Sequence, residues 1–425
     1  MIQDFLVTLG DCPVTYMPTT AGVREKWTGA MLDATGRAYC GALRLDFPVS
    51  CDIERAKEVV ARVLSEHSIL ATSFRIDGAV LVGAAPATDR LYKQIRARLV
   101  PPYPEVDDNV FVDYRAVDPT AAGLRIAARE DANGLHVWIG FWIFTCDGAS
   151  IDLLVGEIAR RYRDEDVKLT RLWADYVTEA ETDGLKMQIQ TEMKEAIYGH
   201  AGPHGIDARR RTSAKEKGHH DSFHFTLPVR NVALAGWARQ NRVTPFAALF
   251  TAFQRAVSAE SNITRVVTGV PFANRRGIGD QSVVGPLSNT VPVVTEHPKG
   301  QGFGPAAKAA QRALVSAAGR QHVHTADLYP QGVSPRTSNI ELPFPQLFNA
   351  WNSQTAGSPL PLSEDASLSM TLLTNKTCRV GFEITLDGTG ECVSGRFDLD
   401  VDAYWAVKDS VSAHMARDLY AAICY

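Results

Sequence analysis

The chain has 425 residues, enough for two hydrophobic cores, and its 45% hydrophobic and 22% charged content is that of an ordinary globular protein. No run of about 18 apolar residues occurs, and the opening MIQDFLVTLGDCPVTYMP has no basic segment leading into a long apolar stretch, so a cytoplasmic chain without a membrane partner is expected. A net charge of −4 and a pI near 6.3 offer nucleic acid no global attraction, and the seven scattered cysteines (Cys12, Cys40, Cys51, Cys146, Cys378, Cys392, Cys424) predict reduced thiols and no metal site.

In chain order, Ala42 to Phe47 alternates with period two and reads as a strand. Asp52 to Leu64 places apolar residues at 53, 56, 59, 60, 63 and 64, one face of a helix with acidic residues in its first turn. Leu124 to Arg129 reads as a less regular strand. Leu135 to Phe144 is apolar throughout except for His136, which predicts a strand buried on both faces. Gly148 then releases the chain into an amphipathic helix over 149–162, so a strand-to-helix corner is expected, with backbone N–H groups at the helix N-terminus beyond the strand end. Residues 199–221 lose periodicity and concentrate Gly, His and basic charge, as a linker does. The second part restarts with a strand at 223–227, helices at about 229–241 and 244–259, and a strand at 265–270. That order echoes the first part and predicts two α/β lobes: 1–175, a helical connection and basic linker over 176–221, and 222–425.

The corner itself reads Gly-Phe-Trp-Ile-Phe-Thr-Cys-Asp-Gly-Ala-Ser over 140–150. It resembles the HHxxxDG motif of nonribosomal peptide synthetase condensation domains, members of the chloramphenicol-acetyltransferase-like superfamily, with Trp142 and Ile143 at the two His positions and Asp147-Gly148 kept. Other segments follow in the family's order. Met17 to Trp27 is similar to SxAQxRLW without its Gln, and Glu66 to Phe74 to RHExLRTxF with Ala71 at the second Arg. Trp173 to Val177 resembles YxDFAVW, Val284 to Thr290 resembles VGxFVNT, and Arg336 to Asn339 is a trace of SRNPL. The resemblance implies an α/β fold of two acetyltransferase-like lobes in a V-shaped pseudo-dimer with the active site at their interface. It also implies an acyl or aminoacyl thioester delivered on the phosphopantetheine of a carrier protein, a small amine acceptor, and no other cofactor.

Several residues carry two readings. Cys146 is a nucleophile able to relay the acyl group if its pKa is lowered, or a small buried residue at a strand end. Asp147 is a replacement base, or, as its family counterpart implies, half of a structural ion pair with Arg275 across the lobes, in which case it is a poor base. Gly148 and the N–H groups after it form an oxyanion site or merely an N-cap region. Trp142 and Ile143 plug a dead tunnel or shape a dry pocket for an acyl chain. Ser288 and Asn289 are polar substrate contacts, and His324, with His322, is a relocated base or a surface histidine near the family's HQDxPFE element. His219 and His220 read as solvated. Arg209 to Arg211 with Lys215 and Lys217 form a docking patch for an acidic carrier or a solvated linker.

The function expected is that of a freestanding condensation enzyme of specialised metabolism that makes an amide between a carrier-bound acyl group and a small amine. By analogy, amide synthetases of lincosamide pathways, which couple an amino acid to an aminosugar, are of this divergent kind. The alternative is a non-catalytic platform that binds a carrier protein and recruits tailoring enzymes.

Overall fold

The computed structural model describes residues 14–33, 36–78, 80–112, 118–167, 171–179, 186–199, 205–206, 219–328, 344–350, 358–387 and 390–424. The trace at 336–339, the basic cluster at 209–217, most of the expected linker, and Cys12 lie outside them. In chain order the elements are β1 (Val14–Pro18), α1 (Ala21–Leu32), β2 (Cys40–Pro48), α2 (Ile53–Glu66), β3 (Ser73–Asp77), β4 (Val80–Pro86), α3 (Thr88–Arg98), α4 (Asp108–Phe111), β5 (Arg125–Asp131), β6 (Gly134–Trp142), α5 (Gly148–Tyr162), α6 (Trp173–Glu179) and α7 (Lys186–Tyr198). Then follow β7 (His220–Arg230), α8 (Asn231–Asn241), α9 (Pro245–Ser261), β8 (Arg265–Phe272), β9 (Asn289–Glu296), α10 (Phe303–Gly319), β10 (Leu347–Ala350), β11 (Leu360–Pro361), β12 (Ser367–Leu373), β13 (Phe382–Asp387), β14 (Cys392–Asp400) and α11 (Val401–Cys424).

These elements divide into two compact units. The first holds Met1–Thr182 together with Arg275–Ser288 and Ser353–Asn375, the second the remainder. A cut near residue 222 therefore does not separate them, because two later stretches of chain pack with the first. One reason is the ladder: Ser369 to Leu373 of β12 pairs antiparallel with Asp46 to Ala42 of β2, a sheet contact between segments more than 300 positions apart.

The first unit is built on a five-stranded sheet ordered β11-β12-β2-β6-β5, with a smaller sheet β1-β4-β3. β6 lies between β2 and β5, paired from Cys40↔Trp142 to Pro48↔Gly134 on one side and from Arg125↔Gly140 to Asp131↔Gly134 on the other. All its residues but His136 are buried, as the continuous apolar run predicts. The β5–β6 hairpin turns at Gly134, whose φ of 134° is open to glycine and where a Cβ would lie 2.0 Å from the Phe47 carbonyl oxygen. Helix α2 starts at Asp52, whose carboxylate accepts from the Arg55 N–H, and packs against α3 and α5. Its buried stripe of Ala56, Val59, Val60, Val63 and Leu64 is the one the periodicity marks.

At the end of β6, Trp142 is 1% exposed and stacks on Phe144, ring centroids 5.3 Å apart and planes 14° from parallel; Phe144 in turn meets the Phe74 ring edge-on at 5.6 Å. The indole fits only because residue 123 is glycine: a Cβ there would stand 1.9 Å from the Trp142 ring.

The second unit has a six-stranded sheet ordered β7-β14-β13-β10-β8-β9, with β10 parallel to its neighbours β8 and β13 and the other pairs antiparallel. Its core joins Phe250, Phe253, Phe348, Phe382 and Phe397 with Tyr404, Val411 and Met415 of α11, and α11 packs along α9. Helix α9 carries Thr244 as N-cap, Pro245 in the first turn, and Asn262 in the left-handed conformation after its end. β7 begins at His220, inside the stretch expected as linker, since Asp400 of β14 pairs with it. His220 is thus part of a sheet, and its Nδ1 sits 3.4 Å from the Cys378 sulfur.

His297 of this unit is 7% exposed, bonded through Nε2 to Thr295 Oγ1 at 2.8 Å, and burial, with the Arg255 charge, lowers its pKa to about 4. The fold therefore prefers the neutral ring, and unfolding exposes a group that binds a proton below about pH 6.5. The stabilisation is whole above that value and fades as pH falls toward 4, by up to about 3 kcal/mol. Denaturant titrations from pH 8 to 4 should show that loss, and His297→Gln should flatten it. In the same assay at neutral pH, Gly123→Ala should destabilise the protein by roughly 1–3 kcal/mol, because the methyl has no room against Trp142.

Candidate functional site

The corner between β6 and α5 is closed by its own backbone. The Trp142 carbonyl accepts from the Thr145 N–H at 2.9 Å, the Cys146 N–H at 3.1 Å and the Thr145 hydroxyl at 2.8 Å, which ends the strand two residues before the apolar run does. Asp147 then caps α5, its Oδ1 accepting from the Ser150 N–H at 2.9 Å.

That carboxylate is the most heavily bonded group at the corner. Its side chain is 2% exposed, and Arg275, itself 4% exposed, reaches it with both terminal nitrogens, Nη1 to Oδ2 at 2.9 Å and Nη2 to Oδ1 at 3.0 Å. The Ser288 N–H donates to Oδ2 at 2.8 Å. The single Ser150 hydroxyl proton faces Asp147 Oδ1 at 2.7 Å and the Gly285 carbonyl at 2.8 Å, while the same oxygen accepts from the Gly285 N–H at 2.9 Å and from Arg275 Nη2 at 3.0 Å. Burial alone would raise the Asp147 pKa. The Arg275 charge and hydrogen bonds, the Ser150 bond and the nearby Lys26 charge outweigh it and hold the carboxyl below the usual range. An acid so placed is a weak proton acceptor.

Arg275 is not in the second unit, where the sequence put it. The stretch Arg275–Ser288 belongs with the first unit, held by the Asp147 pair, by Ser150, and by Lys26, whose Nζ donates to the carbonyls of Pro286 at 3.0 Å and Ser288 at 2.5 Å. Arg171 adds an ion pair to Asp280 at 2.8 Å, and the Trp173 ring lies so close to Gly285 that a Cβ there would be 2.2 Å from it. Asn274 makes the preceding turn with φ of 52°, its N–H bonded to Gln321 Oε1 at 2.8 Å.

The remaining sequence candidates fall as follows. Cys146 is fully buried with its sulfur 3.7 Å from the Asp147 carbonyl oxygen; burial, reinforced by the Asp147 charge, pushes its pKa well up, so it stays a thiol rather than the thiolate a nucleophile needs. Ile143 is partly exposed, as are Gly148 and Ala149 beside it, and its N–H bonds the Tyr39 carbonyl at 2.9 Å. Trp142 is core. Ser288 contributes backbone rather than hydroxyl to the corner. Asn289 opens β9 in the second unit and donates both of its amide protons to backbone, to the Gln321 carbonyl at 2.8 Å and the Val323 carbonyl at 2.7 Å. Those bonds hold the turn that carries His322 and His324. His324 is partly buried in the second unit, its carbonyl accepting from the Asp327 N–H at 3.0 Å. Ser150 and Lys26 were missed. Ser150 had a local signal, the third position after an N-cap Asp, whereas Lys26 had none beyond standing next to Trp27 in a weak motif.

Among the described residues no group of three or more His, Cys, Asp or Glu side chains is placed to hold a metal ion, and no helix is long and apolar enough to cross a membrane. The fold is similar to that of the first condensation domain of the calcium-dependent antibiotic synthetase (TM-score 0.74, 15% identity, 96% of this chain and 97% of that one). It is also similar to the SgcC5 protein from Streptomyces globisporus (TM-score 0.70, 15% identity, 95% and 98%), and to part of AB3403, a four-domain nonribosomal peptide synthetase (TM-score 0.76, 15% identity, 96% of this chain and 33% of that one). The sequence profile described as "Condensation domain" matches residues 124–404, well over half of the chain, a span that holds Asp147, Ser150, Arg275 and Ser288. This α/β chain belongs to the condensation domain family.

Proposed function

We propose that this chain is a condensation enzyme that forms an amide between an acyl or aminoacyl thioester, carried on the phosphopantetheine of a carrier protein in trans, and a small amine, in specialised metabolism, and that it works by placement rather than by general base catalysis. The observation that carries the reading is the contrast within one corner. The Asp147–Arg275–Ser150–Ser288 framework is complete, while the position beside it that holds the family's second motif His is Ile143, partly exposed. A framework kept this tightly around a removed base fits a site still used to hold reactants.

The magnitudes allow it. A positioned general base contributes about two to four orders of magnitude in rate. Holding nucleophile and carbonyl together contributes about 7–11 kcal/mol in favourable cases, which exceeds that loss. Thioesters are reactive enough toward a free amine that juxtaposition and orientation carry the step. The half-exposed start of α5 at Gly148 and Ala149 presents the positive end of a 15-residue helix to the carbonyl oxygen as it gains charge. Cys146, a buried thiol, takes no part. An aminosugar acceptor, as in lincosamide-type amide synthetases, is consistent with this reading by analogy.

Incubation of the protein with acyl-loaded carrier and a panel of amines, followed by mass spectrometry of small molecules and of the intact protein, should yield amide and no acyl adduct. Cys146→Ala should retain nearly full rate; an adduct that vanishes with that substitution would restore the covalent relay. Tight carrier binding without any amide would make the chain a recruitment platform instead. Arg275→Ala leaves the buried Asp147 charge unpaired, and thermal unfolding should show a loss of about 3–5 kcal/mol together with loss of amide formation.

A further inference from the structure

The second unit holds a cavity of about 110 Å³ between α7, β9 and α10. Protein interiors pack nearly as densely as organic crystals, so a space of this size needs a cause. The cause is small side chains on its two helical walls: Ala196 of α7 and Ala313 and Ala317 of α10 all end at Cβ. The walls are also held in place. Arg265 donates to the Ala196 carbonyl and pairs with Glu296 at 2.7 Å, which ties the end of α7 to the sheet. Met193, Ile197 and Val293 line the cavity with buried hydrocarbon, whereas its polar members, Ser316 and Arg320, stand about one turn apart on α10 and reach solvent. The ion pair of Arg320 is with Glu192 at 3.5 Å, with the two side chains 34% and 49% exposed, a pair of the kind that contributes little. The cavity is thus apolar within and cationic at its mouth.

We propose that this cavity binds a short aliphatic carboxylate, its chain among Met193, Ile197 and Val293 and its head group on the Arg320 guanidinium and the Ser316 hydroxyl. Charge sets the class. A guanidinium presents a planar fork of donors that matches a carboxylate, and one cation offsets one negative charge. A phosphate dianion would meet Glu192 and the negative end of α10, whose C-cap is Arg320, with a single cation to balance it. Size sets the chain. A hydrocarbon-lined cavity of about 150 Å³ takes a benzene ring, so 110 Å³ has room for about four carbons. Pentanoate, with four carbons beyond its carboxylate, is the match. The inference concerns the second unit by itself and does not rest on the condensing reading.

The test is a titration of the full chain at neutral pH with pentanoate, 1-pentanol and pentylammonium, followed by ligand-observed NMR and calorimetry. Pentanoate should bind with a Kd on the order of a millimolar, 1-pentanol roughly threefold or more weakly, and pentylammonium not at all up to about 50 mM. Arg320→Gln, a change at a partly exposed side chain, should bring pentanoate down to the level of 1-pentanol and leave 1-pentanol unchanged. Ala313→Leu, which fills the cavity, should abolish binding of both, with thermal unfolding as the check that the variant folds; should it not fold, the Arg320→Gln comparison decides alone. No pentanoate binding up to about 50 mM, pentylammonium bound as well as pentanoate, or affinity that Arg320→Gln leaves unaltered would overturn the proposal. Binding is read without any amide being formed, so failure here leaves the condensing reading intact.

Discussion

The Asp147 carboxylate and the Arg275 guanidinium share two hydrogen bonds in surroundings where both side chains are almost wholly buried, and the geometry of the corner hangs on that pair. Removing two such ions from water costs several kcal/mol each, and their attraction repays it only when the remaining lone pairs and protons find partners. Here they do. Ser150 and Ser288 complete the carboxylate, and the Val283 carbonyl accepts from Arg275 Nη2 at 3.1 Å. Since those partners lie on the turn after β6, on the first turn of α5 and on the stretch 275–288, satisfying one buried charge fixes three pieces of chain at once. The same saturation removes Asp147 from proton transfer. A carboxylate that holds the corner together cannot also take a proton without letting go of Arg275.

Trp142 and Ile143, the residues that the resemblance sets at the motif's His positions, are placed differently. Trp142 continues the β6 face that also carries His136 and Trp138, and packs into the core on Phe144 in the space left open at Gly123. A histidine there would leave a void beside Phe144, so the substitution is matched by its surroundings and is part of the packing. Ile143 is one residue further along and partly exposed. Two neighbouring residues of the corner are thus a core residue and a partly exposed one.

Much of the fold was legible from local pattern. β2, α2, β6, α5, α9 and β8 stand where alternation or a helical stripe puts them, because each buries one face or both against its own unit. Element ends were less legible. The apolar run to Phe144 hides the end of β6, since Phe144 stays in the core after the chain has already turned on the Trp142 carbonyl. The Gly- and His-rich stretch hides the start of β7 at His220, since that start is set by pairing with Asp400, 180 positions away. The division into units was least legible of all. Arg275–Ser288 and Ser353–Asn375 join the first unit through an ion pair, a serine and a strand ladder that no window of sequence contains. At the site, the Arg275 partner of Asp147 is the one the motif implied, whereas a polar residue in a motif, such as Asn289, reads the same from sequence whether or not its side-chain nitrogen bonds two backbone carbonyls, as it does here.

A rigid corner matters differently to the two ways of speeding an acyl transfer. A general base must match its proton affinity to the medium and reach the nucleophile, and its contribution collapses once it is replaced by hydrocarbon. Placement demands only that the reacting atoms be held to within a fraction of an ångström, and it draws on the stiffness of whatever bounds them. Asp147, Ser150, Arg275 and Lys26 tie separate segments together through bonds in which the side chain of residue 143 takes no part. The framework and the base are therefore physically separable.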